Sequence, residues 1–242
     1  MQEGLLSPVA RQSVADGVHE QLRRAILDGL LAPGSALPGE RELSTRFEVN
    51  RHAVRQAVGR LAQAGLVTVS HGGATRVNDW RRTAGLDVLA DLAFGEGGRL
   101  PDGDVLRSAL EMRFGIGVDV ARRAAGRATP EVVGALRAHV EAGRAAAELD
   151  EAERHYAALW QELVEGSRNV AYRLALNSLV RALDQSRELT LELSALEVRD
   201  HAAQHALVDA VEAGDGDRAA ALAADLLGRM PAAAERLLEA AA

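Results

Sequence analysis

The sequence predicts a mostly α-helical fold with a small β wing, in which an N-terminal winged helix-turn-helix is followed by a C-terminal all-helical bundle. Three observations predict it. Between Leu37 and Val77 a short helix, a turn, an arginine-bearing helix and a hairpin with a Gly-Gly tip follow in the order of a winged helix-turn-helix. After Thr83 strand signals vanish, and Ala, Leu, Arg and Glu dominate. A length of 242 residues is sufficient for two small domains.

The first helix is expected to begin at the capping-box pattern Ser13-x-x-Asp16 and to end at Pro33-Gly34. Its apolar stripe repeats at helical spacing and consists of Val14, Val18, Leu22, Ile26 and Leu30. Leu37-Pro38 then restricts the backbone, so the second helix is expected to open around Gly39.

The third helix is predicted to start after Asn50, a good N-cap, and to stop at Gly65. Its apolar face, expected to be buried, consists of Val54, Ala57, Val58 and Leu61. Arg51 projects from the first turn, and the face opposite the apolar one carries His52, Arg55, Gln56 and Gly59. Two short strands, 66–70 and 74–77, are expected around the tight turn His71-Gly72-Gly73.

The chain is predicted to divide into a winged domain over residues 1–77, a polar linker over 78–85 and a helical domain over 86–242. In the helical domain, Thr129-Pro130-Glu131 combines a cap, a first-turn proline and an acid at the positive end of the helix dipole. Such a combination indicates a helix start. Breaks at 95–98, 129–130, 166–169 and 214–217 predict six or seven helices packed as a bundle.

Composition restricts the class of protein. Hydrophobic residues make up 48% and charged residues 26%, as in a folded globular protein. The chain has no cysteine, which excludes disulfide bonds and cysteine-ligated zinc. No apolar run approaches a membrane span and no signal peptide is evident, so a cytoplasmic protein is expected. An enzyme is not expected, because no nucleophile elbow, P-loop, dinucleotide fingerprint or paired-carboxylate motif is present.

The net charge of −7 is unevenly distributed along the chain. Residues 1–79 hold nine Arg against eight acids, whereas the remainder holds nineteen Arg against twenty-seven acids. Five of the nine Arg fall within 41–60, around the predicted third helix. Positive charge is therefore concentrated where a DNA-binding surface needs it. We expect residues 1–77 to bind DNA.

Three segments carry a resemblance to a known family. They are L-P-G-E-R-E-L-S at 37–44, V-N-R-H-A-V-R-Q-A-V-G-R-L at 49–61 and V-S-H-G-G-A-T-R-V-N-D-W at 69–80. In these segments the chain resembles the GntR superfamily of bacterial transcriptional regulators. The segment A-G-L-D-V-L-A-D-L at 84–92 is more typical of the FadR subfamily, and E-M-R-F at 111–114 is a weaker match.

The resemblance implies that the start of the third helix contacts base edges in the major groove and that the wing tip enters the minor groove. The residues it places on DNA are Arg41, Asn50, Arg51, His52, Arg55, His71, Gly72 and Thr75. The arginine fork matches guanine O6 and N7, a contact worth about 1–3 kcal/mol of base discrimination. A lone arginine would more simply be a solvated surface residue, but here two arginines stand four residues apart beside a helix cap and a Gly-Gly wing. Ala53 and Gly73 depart from the family pattern, where a hydroxyl and a basic residue are usual.

In the FadR subfamily the helical bundle binds a small effector and forms the dimer. By this resemblance, Tyr156 and Trp160 occupy positions where many relatives carry a metal-binding Asp and His, whereas His205 matches a second His and Leu226 lies near a third. The resemblance therefore implies no metal and no cofactor. An aromatic residue at Trp160 favours a long-chain acyl-CoA effector, and Arg113 matches an arginine that helps to bind the CoA part. Arg113, Tyr156, Trp160 and His205 are the implied effector-binding residues.

Several alternatives stay open. Arg113 would serve equally as a partner in an ion pair between helices, and Trp160 as a core residue. Two residue pairs have the i,i+4 spacing of helical metal ligands and would allow a metal site, namely Glu151/His155 and His201/His205. Such pairs are usually surface residues. With a metal, the effector would be a small carboxylate metabolite, namely a sugar acid, amino acid or dicarboxylate.

The function that the resemblance implies is transcriptional regulation of fatty acid metabolism. The expected partners are a second copy of the chain and double-stranded DNA with an inverted-repeat operator. Effector binding would shift the spacing of the two DNA-binding heads, which requires that the ligand prefers one dimer geometry over the other.

Overall fold

The computed structural model of the protein describes residues 14–70, 73–89, 92, 103–183 and 186–241. The chain forms two compact units, residues 1–88 and residues 89–242. Helices dominate both, and the described strands pair as one two-stranded sheet in the first unit. The predicted fold class is confirmed.

The first unit is built around its third helix. In chain order its elements are α1 (Val14–Leu27), α2 (Glu40–Arg46), α3 (Arg51–Gln63), β1 (Val67–Thr68), β2 (Arg76–Val77) and α4 (Trp80–Thr83). Both α1 and α2 pack on α3, and β1 pairs antiparallel with β2 with Val67 opposite Val77. Ala36 forms a bridge to Arg76, so the segment before α2 lies along the outer edge of the hairpin.

The helix α1 is shorter than the sequence predicts. It ends at Leu27 because Gly29 adopts a left-handed conformation (φ 76°), so the prediction that Pro33-Gly34 ends it is wrong. Val18, Leu22 and Ile26 are buried as predicted. The two ends of the predicted apolar stripe are not buried, since Val14 is 58% exposed and Leu30, beyond the helix, is 79% exposed.

The predicted signals at both ends of α3 are confirmed. The Asn50 side chain accepts a hydrogen bond from the Ala53 amide at 2.9 Å. At the other end Gly65 has a φ of 73°, the Gly65 amide donates to the Ala62 carbonyl and the Leu66 amide donates to the Leu61 carbonyl. Together these two bonds form a Schellman motif. The apolar face is buried as predicted, at Val54, Ala57, Val58 and Leu61.

The segment predicted to be a linker contains regular structure. The helix α4 and a 3-10 turn at Leu86–Val88 belong to the first unit. The Thr83 hydroxyl and the Asn78 amide both donate to the Gly65 carbonyl, at 2.7 and 2.8 Å, and so fasten this segment to the end of α3. The strands are shorter than predicted, with two residues each.

The second unit is a helical bundle. Its described helices are α5 (Gly103–Ala125), α6 (Pro130–Ala145), α7 (Leu149–Gly166), α8 (Val170–Leu183), α9 (Arg187–Val198), α10 (His201–Glu212), α11 (Gly216–Leu227) and α12 (Arg229–Ala241). These are eight helices within the described residues, where six or seven were predicted. The count is higher because the breaks between some helices are very short. Only Gly228, for example, separates α11 from α12. The predicted start at Thr129-Pro130 is confirmed, with the Thr129 side chain capping α6.

The core of the bundle surrounds α5 and α7. The helix α5 packs along α11, and α7 packs along α6, while α8 contacts both α5 and α7. The helix α8 is the least buried of these, with Ser178, Leu179 and Ala182 as its buried residues. No helix in the described part of the chain is long and apolar enough to span a membrane.

Candidate nucleic-acid interface and ligand cavity

The outer face of α3 presents the residues predicted to contact DNA. Arg51, His52 and Arg55 are all exposed and lie on the first turns of the helix. Asn50 precedes them and is exposed, with its side-chain oxygen engaged in the cap. Arg41 is exposed on α2. The first unit thus brings these five side chains to one end of the helix-turn-helix.

Arg55 is held by a carboxylate from the preceding helix. Its Nε donates to Glu40 Oε1 at 3.0 Å and its Nη2 donates to Glu40 Oε2 at 2.8 Å, so the pair is bidentate. The hydrogen bond from Arg55 lowers the pKa of Glu40, and the charges of Arg55 and Arg51 lower it further. Within the described residues, neither Arg41 nor Arg51 has a carboxylate within ion-pairing distance. Of the two predicted base-contacting arginines, Arg55 is therefore held by an ion pair, whereas Arg51 is not held by any described carboxylate.

The wing is only partly described. His71 and Gly72, predicted to form the minor-groove tip, lie outside the described residues. Of the described residues on either side of them, Gly73 donates its amide hydrogen to the Ser70 carbonyl at 3.2 Å. Thr75 lies on the returning arm, where its carbonyl accepts from the Leu37 amide at 2.8 Å. The hairpin is thereby tied to the segment that leads into α2.

The second unit contains a cavity of about 80 Å³ between α5, α7, α8 and α9. Its walls are mainly apolar, with Ile116, Val120, Leu176, Leu179, Val180 and Leu183 among them. Three of the four predicted effector-binding residues line it, namely Arg113, Tyr156 and Trp160. Tyr156 and Trp160 stack edge to face, with ring centroids 6.3 Å apart.

The polar end of the cavity is a buried ion-pair network centred on Glu197. Arg113 donates to both Glu197 carboxylate oxygens at 3.2 and 2.6 Å, the Tyr156 hydroxyl donates at 2.7 Å and the Met230 amide at 3.1 Å. Burial is the largest single influence on the pKa of Arg113 and lowers it, but Glu197 and Tyr156 together outweigh burial and raise that pKa. Burial, and then the Glu197 charge, hold the pKa of Tyr156 well above its ordinary value. The network is thus a neutral phenol and a charged pair.

Two buried polar atoms at the cavity make no regular hydrogen bond to the part of the chain that the structure describes. The Ser194 hydroxyl has no hydrogen-bond partner among the described residues. The Trp160 indole N–H interacts with the Tyr156 hydroxyl but completes no hydrogen bond of regular geometry, and both side chains line the cavity. Trp160 is 8% exposed and Ser194 2% exposed. Buried donors that complete no regular hydrogen bond are uncommon in folded proteins and indicate a site for a ligand or a water. The arrangement can hold a largely apolar molecule that carries a hydrogen-bond acceptor.

His205 is not brought together with the other predicted effector-binding residues. It lies on α10, where its Nε2 is 3.0 Å from Glu141 Oε1, and it does not line the cavity. No group of three or more His, Cys, Asp or Glu side chains within the described ranges has a geometry suited to a metal ion. His139 and His155 do contact each other, with ring centroids 5.9 Å apart.

Sequence reasoning missed Glu197, Ser194 and Glu40. Glu197 and Ser194 follow Leu189 and Leu193 on the buried face of α9, so helical periodicity could have placed them there. Glu40 carries no local signal, because its partner Arg55 lies 15 residues away on another helix.

Comparison with known protein families gives two matches. Residues 14–77 match the model of bacterial regulatory proteins, gntR family, and residues 108–229 match the FCD domain. The first range covers α1 to β2, and the second, which begins within α5, includes every cavity-lining residue except Met230.

Similar proteins are found over most of the chain. The HTH-type transcriptional regulator Mce2R of Mycobacterium tuberculosis is 38% identical over 92% of both chains. A fatty acid metabolism regulator protein of Cronobacter sakazakii is 33% identical over 71% of this chain and 70% of its own length. Among solved structures, Lar, which controls the agr system of Listeria monocytogenes, has a TM-score of 0.60 at 16% identity. That similarity covers 93% of this chain and 98% of the Lar chain.

Proposed function

The chain belongs to the gntR family of bacterial regulatory proteins, with an FCD domain after its winged helix-turn-helix, and we propose from this that it is a homodimeric regulator whose DNA binding responds to long-chain acyl-CoA. The family consists of transcriptional regulators rather than enzymes. Such a protein works on chromosomal DNA and so in the cytoplasm. Its genes would be those of fatty acid metabolism, as in the named Cronobacter relative.

The DNA interface we propose is the exposed end of α3 with the wing. Arg51 and Arg55 would contact guanines, and Arg41, Asn50 and His52 would lie at the bases or the backbone. His71, Gly72 and Thr75 would form the minor-groove contact. The observation that supports this is the clustering of Arg41, Arg51, His52 and Arg55 as exposed side chains on two helices whose other faces are buried.

The effector site we propose is the cavity beside α8. Apolar walls suit an acyl chain, and the Trp160 indole N–H and Ser194 hydroxyl suit the oxygen of a thioester. Arg113 would then face the polar part of the ligand while paired with Glu197. The single observation that carries the proposal is this combination of apolar walls with buried donors that make no regular hydrogen bond to the described residues.

An acyl-CoA requires that the cavity widens. Pockets for drug-sized ligands measure about 300–1,000 Å³, and an acyl-CoA is larger than such a ligand. The cavity of about 80 Å³ is therefore too small to hold it without rearrangement. The helix α8 is a wall that is able to move, because only three of its fourteen residues are buried. An outward shift of α8 would couple ligand binding to a change in the bundle.

A second candidate is a small carboxylate metabolite. The volume of about 80 Å³ favours it, since a small molecule would need less rearrangement. The Arg113 guanidinium and the Trp160 and Ser194 donors would bind its carboxylate.

Two glycines of α5 give a matched test of the effector. An alanine Cβ at Gly117 would lie 2.3 Å from Leu227 Cδ1 and 3.5 Å from the Trp160 ring, whereas at Gly115 it would meet nothing within 4 Å. We expect Gly117→Ala to weaken palmitoyl-CoA binding by about tenfold, because the Leu227 side chain is pushed toward the cavity. Gly115→Ala should bind like the wild type.

Calorimetric titration with palmitoyl-CoA, below its micelle concentration, would measure both variants. Free CoA and a dicarboxylate serve as comparison ligands. Binding of the dicarboxylate but not of palmitoyl-CoA would contradict the acyl-CoA proposal and support the second candidate. Equal binding by both glycine variants would contradict the location of the site.

A further inference from the structure

The Glu40–Arg55 pair points to a role in base recognition that the family assignment does not specify. We propose that Glu40 is a specificity-determining residue that positions Arg55 for one guanine of the operator. This inference rests on the proposed DNA-binding role of α3. Glu40 itself would not contact the base; it would act through the arginine.

The geometry of the pair leaves the Nη1/Nη2 end of the Arg55 guanidinium free to donate to a base. The guanidinium has five N–H groups, and Glu40 takes one from Nε and one from Nη2. Three hydrogens remain, and one on Nη1 and one on Nη2 lie side by side along the end of the guanidinium plane. That end offers two parallel donors, which match the O6 and N7 acceptors of guanine in the major groove. A carboxylate on the Nε edge and guanine at this end are therefore compatible.

The pair is too exposed to be needed for folding. The Arg55 side chain is 71% exposed and that of Glu40 39% exposed, and exposed ion pairs contribute little to stability. Its effect would be to fix the rotamer of Arg55 before DNA arrives, so less side-chain freedom is lost on binding. Arg51 has no such carboxylate among the described residues and would bind as a flexible side chain.

The chain supplies a matched control on the same helix. Glu40 and Glu42 both lie in the first turn of α2, so both interact with the same helix dipole. Glu42 pairs with Arg46 of its own helix at 2.5 Å and not with α3. The variants Glu40→Gln and Glu42→Gln remove one negative charge each. Only the first weakens the support of Arg55, because it replaces a bidentate carboxylate with an amide that has a single acceptor oxygen.

The experiment uses the full chain and a duplex selected by the wild type from a randomised pool. Each base pair of that duplex is then changed in turn, and the dissociation constants of the wild type, Glu40→Gln, Glu42→Gln and Arg55→Gln are measured at fixed salt. We expect Glu40→Gln to lose about 3- to 30-fold of discrimination at one G·C pair per half-site, the same pair that Arg55→Gln affects. Its affinity for non-specific DNA should equal that of Glu42→Gln, since both lose one repulsive charge. A variant that carries both Glu40→Gln and Arg55→Gln should lose no more discrimination than Arg55→Gln alone.

Three outcomes would overturn the inference. Equal discrimination by Glu40→Gln and Glu42→Gln would show that the pair has no role in recognition. Tighter operator binding by Glu40→Gln with unchanged discrimination would show that Glu40 masks Arg55 instead. Absence of sequence preference in the wild type would contradict the proposed function itself, and the inference with it.

Discussion

Glu197 determines the polar end of the cavity. Its carboxylate is fully buried and accepts hydrogen bonds from Arg113, Tyr156 and the Met230 amide. These partners come from α5, α7 and α12, so one side chain connects four helices. A buried charge is tolerated only when it is paired and hydrogen-bonded, and Glu197 meets both conditions.

Removal of one partner from this pair should be costly. We expect Glu197→Gln and Arg113→Met each to lower the free energy of unfolding by about 3–5 kcal/mol, because each leaves an unpaired group inside the bundle. The double variant should lose less than the sum of the two. Urea unfolding followed by circular dichroism would measure this, and Arg107→Met, which breaks the exposed Arg107–Glu235 pair between α5 and α12, is the control with little expected change. Additive losses in the double variant would contradict the coupling of Arg113 to Glu197.

At the scale of single residues, the sequence indicates which side chains line the cavity better than it indicates the side chains they bond to. Family resemblance indicated Arg113, Tyr156 and Trp160, and the structure brings all three to one cavity. It could not indicate Glu197, which lies 84 residues from Arg113. A pairing between distant helices depends on how they pack, and that information is not local.

The helix α3 shows how local sequence fixes an element. Asn50 begins it with a side-chain cap, and Gly65 ends it with a Schellman motif. After Gly65 the backbone continues into β1. The helix α4 later returns to Gly65, where Thr83 donates to the Gly65 carbonyl. An alanine Cβ at Gly65 would lie 2.3 Å from the Thr83 carbonyl oxygen. Gly65 is required both by its positive φ and by this close approach.

Substitution of two glycines of this region by alanine should therefore change the stability of the first unit in opposite directions. Gly65→Ala should destabilise the first unit by at least about 1–2 kcal/mol, since alanine is disfavoured in the left-handed region and would clash with Thr83. Gly59→Ala, in the middle of α3 with nothing within 4 Å of its Cβ, should stabilise it by about 0.5–1 kcal/mol. Trp80 fluorescence in a Trp160→Phe background would follow urea unfolding of this unit alone. Equal midpoints for the two variants would be inconsistent with the packing of α4 on Gly65.

Element boundaries were predictable where one strong signal stands alone. The cap at Thr129 and the stop at Gly65 are such cases. The end of α1 was misplaced because Gly29 and Gly34 both follow the helix, and spacing does not decide between two glycines. The helices of the bundle were undercounted because a single residue such as Gly228 divides two of them. A one-residue break leaves the apolar periodicity almost unchanged.

At the scale of the whole molecule, the proposed DNA-binding residues and the proposed effector cavity lie in different units. The arginines around α3 lie in the first, and the apolar cavity with its buried pair lies in the second. A regulator needs both and a coupling between them. Coupling requires that the ligand binds more tightly to one conformation than to the other, and a tenfold effect on DNA affinity corresponds to about 1.4 kcal/mol of differential binding.

The most direct measurement of this coupling is fluorescence anisotropy of the full chain on the DNA upstream of its own gene, with and without palmitoyl-CoA. We expect micromolar palmitoyl-CoA to release the DNA and free CoA to leave it bound, and we expect Gly117→Ala to require a higher concentration. DNA binding that is tight but indifferent to palmitoyl-CoA, or release by free CoA to the same extent, would contradict a regulator that senses acyl-CoA through the cavity beside α8.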